Sequence, residues 1–469
     1  MAANELPVDR LRDYLRELNP EARALLMAEL ERGRLRGDEL PGLGLILQEL
    51  RSAAPLKRAL PPRIGDPQRL FFAPLEPFLV DDRSGRKRPG RIPRTSLEPI
   101  WRFLSADLMP AEAAAYVEEA NRHLLAGAAA EAEPLARALQ DHALARIEQA
   151  LAAVDTDAKA RRRLAGQIGT PHALEDLRDI VAVLAGREAL GLLAERLPPH
   201  VRNLADEQLD NVKALVDQPL ARHGDMFLYG LLLVMSRLGS PWHLIRIAVR
   251  MAETDKAARI AQMPAALAVT IVLDDLELQA MQLHDELKGV DVARAVGLLK
   301  DLHDGVRGLR TELDLSGDQP WGRQLAAVRG EVSAQIERHI AAVPGRVNRL
   351  LRPRFGIDAG GGALDPQDVA EVEALIELVN ACRNYAGELA INEATSRVHS
   401  QLQSCLDTGM ARLLDGLRQA GAGERKFRQS QVDAAVRFAA KTFGADYAAV
   451  LIKAADVAAQ GADPKAAKA

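Results

Sequence analysis

The distribution of proline constrains this chain more than any other feature. Ten of its 25 prolines fall between Pro55 and Pro110, while residues 367 to 463 contain none. Proline removes a backbone donor and collides with the preceding helical turn, so the first stretch cannot be continuous helix and the second is free to be. The rest of the chain has the composition to match. Alanine is about one residue in six, and aromatics are 4% of the 469 residues. Alanine, leucine, arginine and glutamate enter helices at least cost, whereas strands favour β-branched and aromatic side chains. The expected fold is all-α: a bundle or stack of long amphipathic helices, with an extended strap rich in proline and aromatics near residues 55–110.

Six stretches follow from this reading. Residues 1–54 read as an N-terminal helical unit, in which Val8, Leu11, Leu15 and Leu18 share one face and Asn19, Pro20 and Glu21 restart a helix. The strap and a basic loop occupy 55–110. A central helical domain spans 111–354, with breaks near Gly169–Pro171, Leu197–Pro199, Gly239–Pro241, Gly289–Asp291 and Ser316–Pro320. Within it Trp321, Leu325, Val328, Val332, Ile336, Ile340 and Val343 recur at helical spacing until Pro344 interrupts. A Gly-rich linker covers 355–364; no lysine with Ser or Thr follows its glycines, so it is no phosphate loop. The C-terminal region 365–459 predicts one helix of about 50 residues, roughly 75 Å long, with Gly387 and Gly409 as kinks. A shorter helix follows from Gln429, broken at Gly444, and residues 460–469 read as a disordered tail. No repeat period emerges, although "LHDELKG" at Leu283–Gly289 echoes "LHDGVRG" at Leu302–Gly308.

Charge and cysteine usage narrow the function classes. A net charge of −4 with 27% charged residues lacks the domain-wide basic balance of a protein that coats nucleic acid. Cys382 and Cys405 would lie about 35 Å apart on one helix, far beyond the roughly 7 Å that a disulfide allows, and no zinc-type spacing exists. The charged, amphipathic N-terminus is unlike a secretory signal. Two apolar runs, Met226–Met235 and Met263–Leu273, are about half the length needed to span a bilayer and read as buried helices. These features place the expected protein in the cytoplasm, and the Ala- and Arg-rich bias suggests a bacterial source.

Five of the seventeen aromatics, Phe71, Phe72, Phe78, Trp101 and Phe103, cluster in the strap. Each contributes roughly 1.5–3 kcal/mol if fully buried, enough to hold an ordered chain in helix grooves. "TSLE" at Thr95–Glu98 has the form of a capping box. Between the aromatic groups Arg83, Arg86, Lys87, Arg88, Arg91 and Arg94 form an acid-free basic loop, the candidate binding residues of the chain. Six cations at about 1 kcal/mol each would hold it reversibly to an anionic membrane surface. Pairing with acids of its own body is the structural alternative. Arg346, Arg349, Arg352 and Arg354 make a second cluster, part of which suits a helix C-terminus.

Candidate catalytic groups do not assemble into a motif. Glu119 and His123 have the wrong spacing for a helical di-iron site. Asp274–Asp275 is followed by Leu278 where a diphosphate-binding site needs an acid, and His284–Asp285 and His303–Asp304 read as exposed helix residues. No metal and no cofactor is implied. The leading expectation is a non-enzymatic helical scaffold or adaptor that binds a protein partner. The alternatives are a peripheral membrane or polyanion-binding protein using loop 83–94, and an enzyme with a pocket between helices. Specific nucleic-acid recognition is not expected.

Overall fold

The computed structural model describes residues 66–82, 84–201, 209–210, 212–214, 226–289, 292–315, 319–352, 362–421 and 423–460, with single positions between 22 and 50. The N-terminal unit, most of the linker 355–364, the tail 460–469 apart from helical Gln460, Arg83 and Arg354 lie outside them, save for a small buried cluster of Met27, Leu47 and Leu50. Helix accounts for 83% of the described residues. The all-α expectation holds. The chain divides into two compact units, residues 1–196 with 218–233, and residues 197–217 with 234–469.

In the first unit the proline-rich segment alternates short helical turns with short extended pieces. Asp66 caps α1 (Pro67–Phe71) by accepting the Arg69 amide at 2.8 Å. A 3₁₀ turn (Ala73–Phe78) leads into β1 (Leu79–Val80), which pairs in parallel with β2 (Ile92–Pro93) in the register Leu79 to Ile92. Next comes α2 (Arg94–Arg102), whose N-cap is Pro93 with no side-chain bond, so Thr95 already lies in the first turn and the expected capping box does not form. Its end widens into a π turn, with Met109 N donating to Leu104 O at 2.9 Å.

The aromatics of this segment are packed as expected. Phe71, Phe72, Phe78 and Phe103 are buried. Phe71 and Phe72 meet edge-on at 4.9 Å, Trp101 joins both, and Phe78 meets Tyr229 at 5.5 Å. Two side chains fasten the backbone: Tyr116 OH donates to Pro67 O at 2.7 Å and Gln140 Nε2 to Phe71 O at 2.8 Å. The segment lies against α3 (Pro110–Leu125) and α4 (Ala129–Thr156), followed by α5 (Ala158–Ile168), α6 (Ala173–Ala185) and α7 (Arg187–Arg196). Helix α8 (Met226–Arg237) contains the first apolar run, and among the described residues no helix is long and apolar enough to cross a membrane.

The second unit contains α9 (Leu244–Ala252), α10 (Ala257–Ile260), α11 (Ala266–Lys288), α12 (Val292–Glu312), α13 (Pro320–Ile340) and α14 (Val343–Leu351). The apolar stripe of α13 is buried from Leu325 to Ile340, and Pro344 occupies the first turn of α14, where its missing donor costs nothing. The long C-terminal helix is a correction. Two helices, α15 (Pro366–Leu389) and α16 (Asn392–Arg418), flank Ala390, which adopts a left-handed φ of 58°. The apolar rhythm runs on across the break because both helices bury their stripes, so periodicity did not report it. Gly387 and Gly409 are ordinary helix residues. Cys382 and Cys405 therefore sit on different helices, and both are free. Helices α17 (Arg425–Phe443) and α18 (Ala445–Gln460) meet at Gly444, as the sequence predicts.

Candidate functional site

The basic loop is fastened to its own unit. Lys87 Nζ reaches Asp176 Oδ1 at 2.6 Å and Asp179 Oδ2 at 2.5 Å, and donates to the Arg91 carbonyl at 2.8 Å. Both carboxylates belong to α6, and Tyr229 OH donates to the other oxygen of Asp179 at 2.8 Å. Burial pushes the Asp179 carboxyl up, Lys87 and Tyr229 pull it back, and the result stays above the ordinary value. Arg88 is 3% exposed and pairs with Asp82 at 2.8 Å. Burial raises the Asp82 carboxyl, but bonds from Ser84 and Arg88 outweigh it and hold it below its usual range. Arg91 Nη1 donates to Pro77 O at 3.3 Å, and Arg94 meets Glu76 at 3.0 Å. Arg86 is exposed, beside Gly85, whose carbonyl lies 2.5 Å from His172 Nε2.

Five of the six candidate residues are thus placed, and Lys87, Arg88, Arg91 and Arg94 turn their charge or donors to the protein itself. In the second basic cluster Arg346 forms an ion pair with Glu371. The sequence reading missed a denser cationic run on α5. Lys159, Arg161, Arg162 and Arg163 are all exposed, and no acid stands between Asp157 and Glu175. The signal stands in the sequence as a charge run without an acid from Ala158 to Leu174.

In the second unit Ser240, Trp242, Asp275, Gln279, Asp301 and Asp304 line a shallow recess. A Cβ at Gly308 would stand 2.3 Å from the Trp242 ring, so the ring lies directly on the α12 backbone at that position. Burial pushes the Asp301 carboxyl up, Lys300 draws it down and Asp304 pushes it further up. Asp275 accepts from Gln279 at 2.7 Å, and His303 Nδ1 lies 3.1 Å from Asp304. The recess is acidic and disfavours anionic ligands. Among the described residues no group of three His, Cys, Asp or Glu side chains is placed to hold a metal ion.

Helix α18 has a different character. It buries Ala448, Ala455 and Ala458, yet Val450 is 65% and Val457 63% exposed, with Tyr447 alongside. Tyr447, Val450, Ala454 and Val457 follow i, i+3, i+7 and i+10, a continuous apolar stripe on one flank. No family model, no curated protein and no solved structure matches the chain.

Proposed function

We propose that the protein is a non-enzymatic helical scaffold that binds a partner protein, and that the outward flank of α18 is where the partner docks. The exposed stripe of Tyr447, Val450 and Val457 carries this reading. An amphipathic helix ordinarily keeps one apolar face, and α18 has a second stripe beside its buried one. Large side chains separated by Ala454 present the ridge and gap that receive another helix, so the partner offers an amphipathic helix. The buried ionisable groups of the first unit support binding rather than chemistry, since Lys87, Asp176, Arg88 and Asp82 are engaged in holding the loop.

A photo-crosslinking residue at position 450 of the full chain tests this in cells. The expected product is one discrete adduct containing a second protein, absent when the probe sits at exposed Glu393 and lost on Val457→Glu. Equal adducts from both positions, or none, would overturn the reading. An adduct between two copies of this chain would replace the scaffold with self-association.

A further inference from the structure

We propose that α5 is a phosphate-binding face for the backbone of double-stranded nucleic acid, recognised without regard to sequence. Four cations, Lys159, Arg161, Arg162 and Arg163, are exposed on this eleven-residue helix, which contains no acid. Among the described residues no carboxylate forms a salt bridge with any of them. Arg88, Arg94, Arg102, Arg122, Arg146, Arg178 and Arg187 in the same unit meet a carboxylate, and among the described residues the cations without one are clustered on α5, the others (Arg69, Arg137 and Arg196) being isolated in the sequence.

The placement is electrostatically unfavourable, and its one local side-chain bond among the described residues is from Arg162 Nε to Ala158 O at 3.3 Å. Lys159 lies in the first turn, where the helix dipole repels cations, and Lys159 and Arg163 are like charges four residues apart. The helix is nevertheless held firmly. Leu164 and Ile168 are buried, Asp157 caps the start by accepting the Lys159 amide at 2.7 Å, and Gly169 closes the end at a left-handed φ of 75°.

The partner follows from what this face presents. Around the helix Arg162 and Arg163 diverge by about 100° with Lys159 and Gly166 between them, so cations point to either side of a glycine. A helix is about 10–12 Å across, the width of a major groove of about 12 Å, and guanidinium groups grip phosphates through paired donors. A bilayer fits less well. The apolar side of α5 is occupied by its own unit, and Lys159, Arg162, Arg163 and Gly166 offer nothing to insert among acyl chains.

Fluorescence anisotropy of the full chain with labelled 20-base-pair duplexes tests the proposal. Two unrelated sequences should bind equally, with a log–log salt slope of about −2.7 for the three phosphate contacts of Lys159, Arg162 and Arg163, since Arg161 lies on the side of buried Ile168. Replacing Lys159, Arg162 and Arg163 by Gln should weaken binding at least tenfold and flatten the slope by about 2.7. Arg437→Gln, at a paired arginine of the second unit, should change neither. A circular dichroism spectrum identical to wild type confirms that the triple variant is folded, and Arg162→Gln alone, expected to flatten the slope by about 0.9, replaces it if it is not. Absence of binding at 25 mM salt, or binding that survives these substitutions, would refute the assignment. Binding to phosphatidylserine vesicles but not to duplex would reassign the face to membrane, and binding only to a polyglutamate peptide would reassign it to an acidic protein.

Discussion

His399 shows what a single residue adds to the second unit. It is buried, and its Nε2 lies 2.9 Å from Arg383 Nη1. A guanidinium can only donate, so Nε2 accepts and the ring carries its proton on Nδ1. Burial, then the Arg383 charge, lowers its pKa below the ordinary 6.5, and burial with Arg246 does the same to His243. The unfolded chain therefore takes up these protons at higher pH than the folded one. The stabilisation is complete above about pH 6.5 and is lost as the pH falls towards the lowered folded values. Urea midpoints should fall between pH 7.5 and 5.5, and His399→Gln should flatten that fall. An equal fall in the variant would mean that His399 does not contribute. Nothing in the sequence around His399 announces this, because Arg383 stands on the preceding helix.

At the scale of the element, the segment from Pro67 to Leu108 shows which part of a local pattern can be trusted. Its aromatics were legible as core, because large apolar surface is stabilising wherever it can be buried. Phe72→Ala should accordingly cost about 3 kcal/mol in urea denaturation, the usual scale for a truncated buried phenylalanine. The basic residues were legible only as charge. Lys87→Ala should cost about 3–5 kcal/mol, since it leaves Asp176 and Asp179 buried without their cation. Arg86→Ala, one residue away on the exposed side, should stay within about 0.5 kcal/mol. Equal effects at the two positions would show that the Lys87 cluster does not hold the loop. The two residues are adjacent in sequence and chemically alike, and the difference between them comes from α6, almost ninety residues downstream.

Over the whole molecule the division follows the range of the forces involved. Helical class, the buried stripe of α13, the breaks at Gly169 and Gly444 and the burial of the strap aromatics were determined by the sequence, because backbone sterics and hydrophobic periodicity act within a few residues. The turn at Ala390 was not, since alanine favours helix and only the packing of α15 and α16 makes a left-handed residue affordable there. Nor was the fate of the charges. Lys87 and Arg163 look alike in the sequence, and the fold brings two buried carboxylates to the first while leaving the second exposed. Ion pairing is decided by which distant segments meet, and that information exists only in the tertiary structure.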